Sequence, residues 1–597
     1  MRMFQTYEPP SPPTDIPPRL AAIRAAMAEV DLDALLVPRA DVHQGEYVAP
    51  SDDRLAWLTG FTGSAGSAVI LRDRAALFLD GRYRVQGRMQ APDDIEIVPW
   101  PDTSVAAWLA DTMVGGRVGF DPWLHPIRAV AKLREALAAK SSGLIPTQNL
   151  VDAIWDDRPA PPDDAFFAYP DERAGETASD KRTRLAEELR EKGEHAAILT
   201  LPDSIAWLLN IRGSDVPRNP VPHAFAILHE DGRVDLFARP GKADRIEVDG
   251  VTVLPWDGFE AALMQLSGPV RVDPSSAPQA IADLLDEAGV ERSDGSDPVL
   301  LPKACKNETE IAGTREAHLR DGAAMVRFLA WLDASDLTAL TEIDIATRLE
   351  RFRRNTNALQ DIAFEAIVST GPNGAINHYR VNEDTNRPLK PGELLLVDSG
   401  GQYLDGTTDI TRTIPVGEVG DEEKRAFTLV LKGMVTLSRL RFPRGVAGQH
   451  IDALARAPLW MAGLDFDHGT GHGVGHYLSV HEGPQRISRL SDVPLEPGMI
   501  VSNEPGYYRE GAFGIRIENL IVVREAPPLE GADDRAWFDF ETLTFVPIDR
   551  RLIVAEMLTA EERAWIDAYH AEVAAKIGPR VDGEAAEWLA RATAPLA

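Results

Sequence analysis

The alternation of apolar and polar positions divides the chain into two textures that meet near residue 305. Before that point, short apolar runs alternate with helical periodicity. Leu20–Val30 predicts an amphipathic helix, LDALLVPR an apolar strand, and SAVILRDRAALFLDGRY two strands joined near Asp73. A helix is predicted over Asp180–Lys192 and a strand at AAILTL, and AFAILHEDGRVDLFA and VRVDP continue the same α/β rhythm. DDRPAPPDD, with three prolines among charges, reads as a linker. The segments RLAWLTGFTGS and SIAWLLNIRGS are locally alike, which points to a duplicated fold. The resulting division is an α/β domain over 1–155, a second of similar fold over 156–305, and an α+β domain over 306–597.

The third domain opens on Asn307 with Glu310 three positions on, the form of a helix cap, followed by EIAGTREAHLRDGAAMVRFLAWL. A second helix is predicted over Glu342–Arg353. Short β-runs separated by glycine-rich turns come next. A last helix begins at a Thr559/Glu562 capping box and carries Trp565, Tyr569, Val573 and Ile577 on one side.

Composition narrows the function classes. The chain of 597 residues is 44% hydrophobic and 26% charged, ordinary for a globular protein. No stretch reaches the roughly 18 apolar residues of a membrane span, and the proline-rich N-terminus lacks a signal-like apolar region. A cytoplasmic location without membrane attachment is the expectation. Cys305 is the single cysteine, so neither an intrachain disulfide nor a thiolate cluster can form, and it reads as a structural thiol at a domain junction. A formal net charge of −31 repels nucleic acid and anionic membrane. Cations are attracted only where carboxylates converge.

Convergence is written into two strand pairs. Glu393–Val397 reads as a buried strand ending at Asp398, and Asp409 lies in a following strand rich in Thr and Ile. A tight turn at Asp405-Gly406 would set Asp409 opposite Gln402, on the same face as Asp398 but displaced along it. Bringing both to one ion then needs a bulge or a wider loop. In MIVSNEPGYYREGAFGIRIENLIVV, a loop centred on Gly511 sets Glu504 directly across from Glu518. Facing carboxylates in apolar strands are destabilising unless something neutralises them. Between the pairs lies HGTGHGVGHYLSVHEGP, where His468 and His472 are four apart but the glycines argue against a helix. The four carboxylates match the charge of two divalent cations, and oxygen donors with one imidazole suit manganese, cobalt or iron(II) better than a thiolate-type zinc site. Arg412 and Arg516 flank these acids and are read equally as orienting partners or ordinary strand residues.

Four segments, TGPNGAINHYR, LLLVDSGGQYLDGTTDITRT, HGTGHGVGHYLSVHEGP and SNEPGYYREGAFGIRIEN, together resemble the pita-bread metallopeptidases, and within them the three-domain, cytosolic aminopeptidase P (Xaa-Pro aminopeptidase) group. NLVDAIWDDRP and IAWLLNIRGSDVPRNPV extend the likeness over nearly the whole chain. The resemblance implies two creatinase-like α/β domains before a pita-bread α+β catalytic domain. It implies two divalent ions, manganese foremost with cobalt, iron(II) or zinc as alternatives, on Asp398, Asp409, His472, Glu504 and Glu518. Asp409 and Glu518 bridge the ions in that pattern. His378, His468 and His481 match substrate and transition-state contacts, and Glu504 a proton shuttle. The implied activity is hydrolysis of the N-terminal Xaa-Pro bond of peptides by a homodimeric enzyme. The alternatives are a prolidase acting on dipeptides and a non-enzymatic peptide-binding protein. His476 and Tyr477 match no role and read as packing residues, and His43, His125, His223 and His229 read as structural or surface residues.

Overall fold

The computed structural model describes residues 3–10 and 12–596. The chain forms two compact units, Pro10–Lys303 and Met1–Pro9 with Ala304–Ala597. The first residues thus belong with the C-terminal unit, not with the N-terminal domain to which the sequence reading assigns them. The reason is local: the backbone N–H groups of Phe4 and Gln5 donate to the buried Glu350 carboxylate at 2.7 and 3.1 Å, and Tyr7 Oη meets Thr347 Oγ1 at 3.2 Å.

Pro10–Lys303 contains two six-stranded sheets. One is built from Ala34–Pro38, Ser67–Leu71, Ala75–Leu79, Ile95–Pro99, Arg117–Phe120 and Gly143–Pro146. The other is built from Ala196–Leu199, Phe225–His229, Val234–Ala238, Val251–Pro255, Val270–Val272 and Arg292–Asp294. Numbered in chain order, the strands of both sheets lie 4-3-2-1-5-6 across the sheet. The pattern of parallel and antiparallel neighbours also repeats. The two locally alike segments fall on equivalent helices, Arg54–Thr59 and Pro202–Leu209, each following the first strand of its sheet.

In the C-terminal unit, Asn307 and Thr341 cap the helices Glu308–Asp333 and Glu342–Arg354 with reciprocal capping boxes. These helices bury Met325, Leu329, Ile345 and Leu349 against Leu395, Val397, Ile410 and Ile414 of an antiparallel sheet, Ile367–Thr370, Leu394–Ser399 and Ile410–Pro415. Side chains alternate along a strand, so burying Leu395 and Val397 on one face turns Asp398 to the other. A six-stranded sheet contains Gly471–Gly473, Glu482–Ile487, Ile500–Asn503 and Asn519–Glu525. The helices Asp421–Ser438 and Ala560–Ile577, the latter opened by the Thr559/Glu562 capping box, share a core with Phe513, Ile515 and Ile517. Among the described residues no helix is long and apolar enough to cross a membrane.

Candidate metal centre

Asp398 pairs with Thr411 across Leu394–Ser399 and Ile410–Pro415. The next hairpin keeps the same register, with Gln402 opposite Thr407 and Tyr403 opposite Gly406. Asp409 therefore falls opposite Gly400, a diagonal neighbour of Asp398 on the same face. This corrects the expected turn. Leu404 and Asp405 form it, one residue earlier than Asp405-Gly406, so no bulge is needed. Gly406 serves another purpose: a Cβ there would lie 3.0 Å from Thr314 Cα of the helix Glu308–Asp333.

The second carboxylate pair sits where one ladder passes into another. Asn503 pairs with Asn519 and Gly506 with Arg516, in one continuous register that places Glu504 opposite Glu518. Gly511, at φ +76°, turns the hairpin. At the break Glu504 N–H donates to Thr470 O at 2.8 Å and Glu518 N–H to Thr411 O at 3.2 Å, so each acid is tied to a neighbouring segment of the site.

His472 comes from the short strand Gly471–Gly473, where backbone crowding excludes side chains: a Cβ on Gly471 would stand 1.9 Å from Ser502 O. Its Nδ1 lies 2.9 Å from Gly473 O. A carbonyl only accepts, so Nδ1 holds the proton and Nε2 presents a lone pair. That Nε2 is 3.5 Å from Asp409 Oδ2 and 3.4 Å from Glu504 Oε1. Ligand atoms of Asp409, His472 and Glu518 lie within 4.8 Å of one another.

Asp398, Asp409 and Glu518 are buried, and Glu504 half-buried, with part of their bonding capacity open. Asp398 Oδ1, Asp409 Oδ1 and Glu518 Oε1 have no hydrogen-bond partner among the described residues. Burial, then the charges of Asp398 and Glu504, push the Asp409 carboxyl well above the usual carboxylate range. Burial and the charge of Asp409 do the same to Glu518. Two carboxyls so raised beside two further acids call for cations, and three open oxygens beside an imidazole lone pair form a hard-cation donor set. These residues fit divalent metal.

The remaining oxygens are held in place. Ser502 Oγ donates to Glu504 Oε1 at 3.0 Å and Thr411 Oγ1 to Glu518 Oε2 at 2.8 Å. Arg516 donates from Nη2 to Asp398 Oδ2 at 2.5 Å and from Nη1 to Tyr508 Oη at 2.6 Å. Arg412 turns to the other side of its strand and donates to the main-chain oxygens of Glu518, Val546 and Pro547. The two arginines the sequence left equal thus divide: Arg516 touches a site carboxylate, whereas Arg412 braces backbone behind the site. Thr411, Ser502 and Tyr508 were not singled out from sequence. Thr411 and Ser502 had a legible signal, each lying two residues from an acid and hence on its face.

The three other predicted histidines connect to this group through His472 and Tyr508. The His481 ring is 4.2 Å from that of His472 and 6.5 Å from that of His378. His468 Nε2 is 2.9 Å from Tyr508 Oη, which links it to Arg516. His476 is buried with Nδ1 3.2 Å from Thr314 Oγ1, and Cys305 is half-buried with its thiol pushed up to about 11 by burial.

Residues 312–525 match metallopeptidase family M24, and 536–596 match its C-terminal region. Residues 19–154 and 157–310 each match the creatinase/prolidase N-terminal domain. The chain is 40% identical over 604 residues to a probable Xaa-Pro aminopeptidase P of Laccaria bicolor, covering 97% of this chain and 93% of that one. It is 39% identical to aminopeptidase P2 of Arabidopsis thaliana, covering 97% and 88% respectively. The crystal structure of X-prolyl aminopeptidase from Caenorhabditis elegans, described as a cytosolic enzyme with a di-nuclear active site, superposes with a TM-score of 0.93 at 33% identity over 97% of this chain and all of that one. The chain belongs to metallopeptidase family M24, among the Xaa-Pro aminopeptidases P.

Proposed function

We propose that this protein is a metal-dependent aminopeptidase that hydrolyses the N-terminal Xaa-Pro bond of peptides. The observation that carries the reading is the gathering of Asp409, Glu504 and Glu518 about the His472 imidazole, with Asp398 diagonal to Asp409 in its sheet and three buried carboxylate oxygens left open. Asp398, Asp409, His472, Glu504 and Glu518 are the residues that would hold two divalent cations. Two cations supply Lewis acidity and lower the pKa of water toward about 7. Manganese is the metal we assign, since the donors are oxygen-rich and lack sulfur.

Glu504 takes a proton from the attacking water and passes it to the departing proline nitrogen. Ser502 holds one Glu504 oxygen for that exchange. His481 donates toward the developing oxyanion, where a preorganised donor has its largest effect. His378 and His468 position the peptide, and Asp398 receives its free amine. Proline in the second position lacks an amide hydrogen and fixes φ near −65°, so its bond needs a dedicated site.

We keep the divisions of the chain after residues 155 and 305, with the segment before Pro10 counted to the C-terminal unit; the repeated strand order supports the first boundary and the Asn307 cap the second. We place the enzyme in the cytoplasm, supported by its single cysteine and the cytosolic relative. A homodimer is supported by Trp460, Met461 and Leu490, which are 44%, 90% and 77% exposed on the C-terminal unit.

Protein stripped of metal and reloaded with manganese should bind two ions per chain by elemental analysis and release the first residue from Xaa-Pro-Yaa peptides. Cleavage confined to Xaa-Pro dipeptides would establish a prolidase instead. No cleavage of either across several metals would sink the hydrolase reading.

A further inference from the structure

His378 sits on a loop that is fixed at two points. At one, Gly374 lies so close to the strand Phe513–Arg516 that a Cβ would stand 2.7 Å from Gly514 N. At the other, the residue after His378, Tyr379, is buried and directs its hydroxyl to Glu342 Oε2 at 2.9 Å. Glu342 is the first residue of the helix Glu342–Arg354 and is itself fully buried. Its carboxylate gathers the loop from both ends. Oε1 accepts from Thr370 N–H at 2.7 Å, Asn373 Nδ2 reaches both oxygens at 3.1 and 3.0 Å, and Arg387 N–H approaches Oε2 at 3.4 Å.

All these partners are donors or can act as one, which is the environment of an anion. The Tyr379 hydroxyl has other acceptors in Thr385 O and Thr385 Oγ1, both at 3.0 Å, and itself accepts from Asn373 Nδ2 at 2.9 Å. When Glu342 is ionised, Tyr379 donates to it and the loop is closed onto the helix. When Glu342 is protonated, Tyr379 donates to Thr385 and accepts from the carboxyl, so the tie beside His378 rearranges. The titratable and charged groups that face Glu342 are few: Tyr379 on the loop, then Arg387 and Glu393, which pair with each other at 3.0 Å. Asp344, on the same helix, is engaged in capping Thr341.

We propose that Glu342 is a positioning residue for the proposed peptidase reaction, and that its ionised form sets His378 against the peptide. The proposal rests on the Xaa-Pro reading of the site. Burial, offset in part by the Thr370 N–H and by Tyr379, raises the Glu342 carboxyl to about 7, so the two states exchange in the working pH range. Its folded value lies above the ordinary 4.5. Its contribution to stability is therefore full below 4.5 and is lost as pH rises through about 7. Binding geometry at neutral pH is obtained at the expense of fold stability.

The test compares the manganese-loaded wild type with Glu342→Gln and Tyr379→Phe on an Xaa-Pro-Yaa peptide, with melting temperatures followed from pH 5 to 9. Glu342→Gln is expected to raise KM about tenfold with a smaller change in kcat, and to abolish an acid limb of kcat/KM near pH 7. Tyr379→Phe should raise KM by less and weaken the same limb. The melting advantage of wild type over Glu342→Gln should shrink as pH rises. A purely structural role would reduce the active fraction while leaving KM and the acid limb in place, and that result overturns the proposal. If Glu342→Gln does not fold, an unchanged KM and limb in Tyr379→Phe overturns it equally. A wild type that cleaves no such peptide sinks the proposed function. Identical pH dependence of melting in wild type and Glu342→Gln then overturns the ionising role separately.

Discussion

The Arg516 guanidinium and the Asp398 carboxylate meet at 2.5 Å in a pocket that buries both. The same guanidinium reaches Tyr508 Oη and Thr411 Oγ1, so one side chain orients one site acid directly and another, Glu518, through a threonine. Replacing it with Met leaves Asp398 without its partner. Arg516→Met is expected to lower kcat or metal affinity about 10–100-fold, as loss of an outer partner does elsewhere, read by steady-state kinetics and a metal titration. Arg412→Met should act mainly on stability, since Arg412 braces main chain.

Glu504→Ala removes a site carboxylate and the proposed shuttle. Turnover is expected to fall by at least about 10²–10⁴ while the fold is retained, measured by peptide cleavage and circular dichroism. Metal-free Glu504→Ala should also melt at a higher temperature than metal-free wild type, because Asp409 and Glu518 lose a repelling neighbour.

Chelation should expose that repulsion. In metal-free protein the folded pKa values of Asp409 and Glu518 lie above their unfolded values. Stability is then full below the unfolded carboxylate range and is lost as pH rises through the raised values. Calorimetry should find the metal-free chain less stable at pH 8 than at pH 5. Added manganese should reverse the trend, binding more tightly as pH rises.

His570 gives the opposite slope. It is buried, accepts from Ile548 N–H at 3.1 Å, and is lowered to about 4 chiefly by burial and next by the charge of Arg412. Stability tied to this neutral ring is full above the unfolded value near 6.5 and is lost as pH falls toward about 4. The loss amounts to about 3 kcal/mol for a shift of this size. Denaturant titrations of wild type and His570→Gln should converge over that window.

Gly471→Ala tests the crowding beside His472. The added methyl would meet Ser502 O at 1.9 Å, so the strand must move away from Ile500–Asn503. A loss of about 1–3 kcal/mol in stability is expected, with weaker metal binding because His472 shifts with its strand.

The Glu504–Glu518 pairing was legible because Gly511 is the natural centre of its hairpin and the register runs unbroken from Asn503 to Gly506. The Asp398–Asp409 pairing was misplaced by one turn residue for a physical reason. Asp405-Gly406 looks like a turn, but Gly406 is used for its lack of a side chain against Thr314, and Asp405 is held in the turn by Arg320 at 2.9 and 2.7 Å. Both are long-range contacts with the helix Glu308–Asp333, which no local pattern contains. The choice between Arg412 and Arg516 had the same character: strand parity puts Arg412 opposite in facing to Thr411, but what lies on each face is decided by distant chain. The duplication in Pro10–Lys303 was visible as two short matching segments, and its full extent only in the repeated strand order.

The unbroken register of the two hairpins makes loop length a chemical variable. Between Asp398 and Asp409, and again between Glu504 and Glu518, one residue more or fewer in the turn would reverse the facing of every side chain beyond it and carry an acid out of the pocket. An insertion of two would lengthen each strand by one residue at the tip and leave the acids opposite the same partners. The centre can therefore tolerate changes in the identity of residues such as Leu404 or Glu510, or insertion in pairs, better than a single-residue change in their number. Natural variation at these turns is expected as substitution or as paired insertion.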